Sequence, residues 1–170
     1  DLPPEEIQFV LEKFNDWKNA FDLAPSAARG AQDFFEKQVR ELGTFAHDEG
    51  KAIRNLDSQK HFYERARKFY LLYLGFFESS PERFKIGINL ADVFFFEKKF
   101  LQSGDYYLRA FEGEFGPVQQ KEELIKNAVL ALEKKADYSF YEQIRVKGLM
   151  VRAINAYMKF DPRKRNDPEL

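Results

Sequence analysis

Apolar residues recur at intervals of three and four along most of this chain, with charged residues between them. This spacing places the apolar side chains on one face of an α-helix. The spacing extends from Ile7 to Phe21 and, in regular steps of four and three, from Phe35 to Leu56, where Glu49 occupies one of the positions. No segment shows the period of two that is typical of strands. The pattern predicts an all-α fold of about seven helices, stacked as antiparallel neighbours.

Prolines, glycines and capping residues divide the pattern into helices. Residues 3–22 form the first predicted helix, and Trp17 lies on its apolar face. In the second helix, Gly43 and Gly50 predict a bend or break near residues 47–50, because glycine weakens a helix interior. Asp57 and its neighbour Ser58 predict the N-cap of the next helix.

The last two predicted helices are longer, over residues 121–136 and 138–160. Gly148 lies inside the second of them, where it predicts a packing contact or a kink. We expect this last helix to expose an unfinished face.

Two segments of the chain can be superposed at a nearly constant offset. The offset is 37 residues for three pairs and 36 for the fourth, which indicates an internal repeat. The pairs are Ala66 with Ser103, Tyr70 with Tyr107, Tyr73 with Ala110, and Pro81 with Pro117.

The motif Leu90-Ala91-x2-Phe94 followed by Ser103-x3-Tyr107-x2-Ala110 resembles a tetratricopeptide repeat, particularly the longer form used in bacterial envelope scaffolds. A further half match is Ala153-x3-Tyr157-x2-Phe160. The segment around Tyr63 to Leu74 is similar to repeat proteins linked to bacterial gliding motility and pilus assembly.

This resemblance implies helical hairpins stacked as a right-handed superhelix, an α-solenoid. It implies an N-terminal helical segment over residues 1–57 that packs on the array, repeats over 58–162, and a tail or the truncated start of a further repeat over 163–170. It also favours the periplasm or cell envelope slightly over the cytoplasm.

Composition and charge narrow the function classes. Aromatic residues make up 16% of the chain, with 19 Phe and 8 Tyr, so we expect a core built from rings. The formal net charge of -1 leaves no basic field, so nucleic acid is not an expected partner. The longest uncharged apolar stretch, residues 69–77, is too short to span a membrane.

Patterns for catalysis or metal binding are sparse. The absence of cysteine excludes disulfides, thiolate zinc sites and catalytic thiols. On one continuous helix His47 and His61 would lie ~21 Å apart, too far to share a metal ion or a proton. The acidic pairs at 5–6 and 122–123 suit the first turns of helices. We therefore expect no enzyme activity, no cofactor and no metal.

The predicted function is a protein-protein interaction scaffold that binds a partner protein or peptide in a groove. The predicted groove combines apolar and charged positions: Lys85, Ile88, Asp92, Phe95, Phe96, Glu122, Ile125, Val129, Leu132 and Glu133. Tetratricopeptide domains that clamp a C-terminal carboxylate use Asn and Lys or Arg where this chain has Asp92 and Ile88. An amphipathic helix or an apolar strip of another protein is the expected occupant.

The three consecutive residues Phe94, Phe95 and Phe96 span about 200° of a helix and cannot all enter one seam. Phe95 or Phe96 therefore faces either the neighbouring hairpin or the groove, and the sequence leaves both open. Alternatives to the scaffold are a self-associating module that uses the terminal face as a homo-oligomer contact, an α-helical nucleic-acid binder, and an unrecognised enzyme.

Overall fold

The computed structural model describes residues 12–13, 15–16, 18–19 and 25–160. Within residues 25–160 it contains six α-helices and no strand, which confirms the all-α prediction for that part of the chain. The helices are α1 (Pro25–Ala52), α2 (Leu56–Phe76), α3 (Arg83–Phe96), α4 (Phe100–Phe111), α5 (Lys121–Leu132) and α6 (Phe140–Phe160).

Some predictions lie outside the described residues. The core position of Trp17 and the tail over residues 163–170 are among them. The residues described between 12 and 19 are helical, in agreement with the first predicted helix. The predicted number of seven helices is not reached within residues 25–160, and the division at residue 57 stays a prediction.

Consecutive helices pack against each other in antiparallel pairs. Tyr63 of α2 lies against Gly50 of α1, whereas Tyr70, further along α2, lies against the earlier Gly43. The same reversal relates α3 to α4, where Phe95 contacts Phe100 and the earlier Asp92 accepts a hydrogen bond from Tyr107. Short connections between neighbouring helices require this arrangement.

Helix α1 runs without interruption through Gly43 and Gly50, so the predicted break near residues 47–50 is wrong. A Cβ atom added at Gly43 would lie 2.8 Å from the ring of Tyr70, and one at Gly50 would lie 2.8 Å from the ring of Tyr63. Both distances are shorter than van der Waals contact. The glycines are therefore present because they let two tyrosines of α2 approach the α1 backbone.

Helix α2 is capped two residues earlier than predicted. The Asn55 side chain accepts a hydrogen bond from the backbone N–H of Ser58 at 3.0 Å, and Asp57 lies inside the first turn. An amide oxygen at the N-cap satisfies a donor that the helix leaves unpaired. Asn, Asp and Ser are all good N-caps, so capping preference alone does not rank Asn55 above Asp57 or Ser58.

A small residue followed four positions later by tyrosine recurs on α2, α4 and α6. The small residues Ala66, Ser103 and Ala153 are completely buried, and Tyr70, Tyr107 and Tyr157 are buried with them. The offsets are 37 residues between the first two pairs and 50 between the last two. The internal repeat thus marks core positions of three helices.

Contacts also join helices that are not adjacent in sequence. The ring of His47 in α1 lies 6.2 Å from that of Phe96 in α3, centroid to centroid. Arg152 of α6 donates to Glu112, the residue that ends α4, with Nε and Oε1 2.6 Å apart.

Candidate functional site

The ten predicted groove residues do not form one open surface. Four of them are exposed, namely Lys85, Phe96, Glu122 and Glu133. Four are partly buried, namely Ile88, Asp92, Phe95 and Val129.

The prediction is wrong for Ile125 and Leu132, which are only 1% and 3% exposed and have no surface to offer a partner. Leu132 fills the space beside Gly104 on α4, where an added Cβ would lie 2.5 Å from it. The apolar stripe of α5 therefore packs inside the fold.

Phe95 and Phe96 turn toward different hairpins. The ring of Phe96 stacks on Tyr63 of α2, with centroids 5.2 Å apart and planes within 5°. Phe95 meets Phe100 edge-on at 5.4 Å, and Lys134 Nζ lies 5.9 Å from its centroid. Both rings thus serve inter-helix packing, although Phe96 remains 47% exposed.

A small cavity of about 300 Å³ opens beside Phe96, between the start of α2 and the α3–α4 turn. Glu97 lies at its edge and pairs with Arg67 at 2.8 Å and Lys99 at 3.0 Å. Its side chain is nearly buried, so this ion pair ties the α3–α4 turn to α2. Glu97 is therefore occupied within the chain.

His47 is buried among aromatic rings. Its Nδ1 lies 3.3 Å from the Tyr70 hydroxyl, and its Nε2 has no hydrogen-bond partner among the described residues. Burial, assisted by the charge of Lys51, lowers the pKa of His47 to about 4. The side chain is therefore neutral near pH 7.

His61 is exposed and contacts the ring of Phe62 edge-on. The structure does not join it to the rings around His47. Within the described ranges, no group of three or more His, Asp or Glu side chains is placed to hold a metal ion.

Asp92 is occupied by the fold. It accepts a hydrogen bond from the Tyr107 hydroxyl, which ties α3 to α4. Burial raises the pKa of Asp92, and the Tyr107 hydrogen bond opposes that rise. On the preceding turn, Asn89 Nδ2 donates to the Tyr70 hydroxyl at 3.4 Å, which ties α3 to α2. These polar groups hold the helices in register.

The most exposed apolar surface lies on α6. The helix begins with a capping box, in which Ser139 N donates to Glu142 at 2.9 Å and Glu142 N donates to Ser139 Oγ at 3.4 Å. One of its sides packs on the core through Ala153 and Tyr157. Its other side leaves four apolar residues exposed by more than half: Phe140 (70%), Tyr141 (79%), Ile144 (54%) and Val151 (59%).

We call these four residues the α6 apolar face. The sequence predicted an unfinished terminal face but did not identify its residues. The spacing of 140, 144, 148 and 151 was the available signal, because it draws a second stripe on a helix that already has one.

A groove separates α6 from the end of α4 and has a volume of about 640 Å³. Its apolar wall consists of Phe111, Val151 and Phe160. Lys121 and Lys159 lie on its rim, and the side chains of both are without an ion pair in the described part of the chain. We call this the α4–α6 groove.

Gly148 lines the α4–α6 groove and differs from four other glycines in the helices. At Gly43, Gly50, Gly87 and Gly104, an added Cβ would collide with a large side chain of another segment. At Gly148 it would meet nothing within 4 Å, so no packing contact forms there. Gly148 therefore leaves a recess in the α6 surface that no described residue enters.

No protein-family model, curated protein or solved structure matches this chain. Among the described helices, none is both long and apolar enough to cross a membrane.

Proposed function

We propose that this protein is a non-catalytic scaffold that binds a partner protein through the α6 apolar face. The supporting observation is the exposure of Phe140, Tyr141, Ile144 and Val151 on one side of a single helix. Exposed apolar surface of this extent is costly to leave in water and is typical of an interaction site. Aromatic residues are also frequent anchors of protein interfaces.

We further propose that the helices stack as tetratricopeptide-like hairpins in an α-solenoid. Three features support this: the antiparallel order of neighbouring helices, the contacts between α1 and α3 and between α4 and α6, and the small-residue and tyrosine pairs on α2, α4 and α6. In such an array each hairpin covers the next, and an end helix keeps one face uncovered. A bacterial envelope or motility assembly is the setting that the sequence resemblance implies.

Photo-crosslinking in the cells that make the protein tests the scaffold function. A photoreactive phenylalanine analogue replaces Tyr141, and a control replaces Leu71, an exposed apolar residue of α2. We expect a discrete adduct with another protein at position 141 and none at position 71. Equal labelling at both positions, or no adduct at 141, would refute the proposed surface. An adduct only with a second copy of the chain would favour self-association instead.

A further inference from the structure

We propose that the α4–α6 groove binds an amphipathic helix of a partner protein that carries acidic residues, with one large apolar side chain of that helix seated on Gly148. This inference rests on the proposed scaffold function and deepens it, because it states the chemistry of the partner.

The first argument is the recess at Gly148. Glycine in a helix interior costs roughly 1 kcal/mol relative to alanine. At Gly43 and Gly104 that cost is offset by a tyrosine or leucine side chain that packs against the bare backbone. Gly148 carries the same cost without such a side chain within 4 Å, as Gly75 does, but Gly148 lies in the wall of the α4–α6 groove. A side chain of a partner protein would pack on Gly148 as Tyr70 packs on Gly43 and Leu132 packs on Gly104.

The second argument is the chemistry of the groove walls. Phe111, Val151 and Phe160 give an apolar surface next to the recess, and the rings of Phe111 and Phe160 are 6.4 Å apart. An apolar side chain that enters here would contact Gly148 below and these residues at its sides. Grooves of this kind bind the apolar face of a helix through residues spaced by three, four and seven positions.

The third argument is charge. Helix α6 carries four cations, Arg145, Lys147, Arg152 and Lys159, against the single acid Glu142. Glu142 is occupied by the capping box, and Arg152 is paired with Glu112. Of the cations that line the groove, Lys121 and Lys159 make no ion pair in the part of the chain that the structure describes. Carboxylates beside the apolar face of a partner would complement them.

The same charges disfavour two other occupants. A second copy docked on this groove by two-fold symmetry would bring the unpaired lysines of both copies into one interface without adding carboxylates to pair them. A lipid surface would meet a concave wall that includes the Glu112 carboxylate, whereas interfacial helices present an apolar ridge to the bilayer.

The test begins with a phage-displayed library of random peptides of about 16 residues, enough for four helical turns. Peptides are selected on the intact protein and counter-selected on Gly148→Trp, in which an indole fills the recess. The matched control is Gly75→Trp, since Gly75 is a helical glycine whose added Cβ, like that of Gly148, would meet nothing within 4 Å of the described residues. Circular dichroism and the melting temperature confirm that both variants fold.

We expect the selected peptides to carry large apolar residues at helical spacing, flanked by Asp and Glu. Synthetic versions should bind Gly148→Trp about tenfold or more weakly than the parent protein. Their affinity for Gly75→Trp should be unchanged. The double variant Lys121→Glu plus Lys159→Glu should also lose affinity, and the loss should shrink at high salt.

Selection of basic peptides, of peptides that bind Gly148→Trp equally well, or of no peptide would overturn the inference. Two further measurements test the competing occupants. Self-association in sedimentation velocity that Gly148→Trp abolishes would favour a second copy. Co-sedimentation with vesicles of phosphatidylcholine and phosphatidylserine that Gly148→Trp abolishes would favour a membrane. If Tyr141 crosslinks to a partner protein but no acidic peptide binds, the scaffold function stands and the inference fails.

Discussion

His47 is held as a neutral imidazole between the rings of Tyr63, Tyr70 and Phe96. The Tyr70 hydroxyl lies beside its Nδ1, and the charge that affects its protonation is that of Lys51. Both burial and that cation disfavour protonation in the folded state. The unfolded chain has no such restriction and binds the proton near the ordinary pKa of 6.5.

The stability of the protein should therefore fall as the pH drops from 6.5 toward 4. Because the folded pKa is depressed, the contribution of His47 is complete above pH 6.5 and is lost as protonation favours the unfolded state. The expected loss is up to about 3 kcal/mol, at about 1.4 kcal/mol per pH unit. Urea unfolding at several pH values measures it.

The variant His47→Gln should show a shallower pH dependence across this range, whereas His61→Gln, at an exposed position, should behave like the parent protein. Identical slopes for His47→Gln and the parent would contradict the assignment.

Gly43 and Gly148 should respond in opposite ways to replacement by alanine. At Gly43 the new methyl group would lie 2.8 Å from the buried ring of Tyr70, and overpacking of this kind costs about 1–3 kcal/mol. At Gly148 the methyl group meets nothing within 4 Å, so the helix propensity of alanine should stabilise the protein by up to about 1 kcal/mol. Chemical denaturation of both variants measures the difference, and a stabilised Gly43→Ala would contradict the close approach.

At the scale of elements, polar side chains cap the first turn of α2 and α6 but not of every helix. The Asn55 oxygen caps α2, and Ser139 with Glu142 forms the capping box of α6. In α3, α4 and α5 no side chain caps the first turn. At the other end of α2, Arg83 Nη1 donates at 2.6 Å to the carbonyl of Leu74. The unpaired backbone groups at helix ends are thus hydrogen-bonded partly by side-chain caps and partly by side chains of neighbouring helices.

Replacement of Asn55 by alanine should destabilise the protein by about 1 kcal/mol, because it removes the acceptor for the Ser58 N–H. The control Asp57→Ala leaves that hydrogen bond intact and removes only a first-turn acid, worth roughly 0.3–1 kcal/mol. Thermal unfolding of the two variants ranks them. A larger loss of stability in Asp57→Ala than in Asn55→Ala would indicate that Asp57, as predicted from the sequence, is the N-cap.

At the scale of the whole molecule, the helices are unequally buried. Helices α2 and α6 both contain 21 residues, yet seven are buried in α2 and two in α6. Helix α2 packs between α1 and α3, whereas the contacts of α6 are with α4 and α5. Burial is the main source of helix stability in a protein, so α6 has the weaker support.

Amides of α6 should therefore exchange with solvent through local opening, at a lower free energy than amides of α2. Hydrogen exchange followed by mass spectrometry resolves the two helices. A bound helix in the α4–α6 groove should slow exchange in α6 and leave α2 unchanged. Equal protection of both helices in the free protein would contradict the weaker support of α6.

The sequence by itself determined the helical class, most helix positions and the core positions of the repeat. These follow from local periodicity, because a residue three or four positions away lies on the same helix face wherever the helix is placed. Ala66, Tyr70, Ser103 and Tyr107 were paired by their offset and are all buried.

Only the tertiary structure decided which faces are covered and which remain open. Ile125 and Leu132 looked like groove residues, but both are buried, and Leu132 packs against Gly104 of α4. Gly43 looked like a helix breaker, but a tyrosine from another helix packs on it. Gly148 also lies inside a helix, but a Cβ atom added there would meet nothing within 4 Å. The physical reason is that burial and close approach depend on a second helix, and helix periodicity carries no information about that helix.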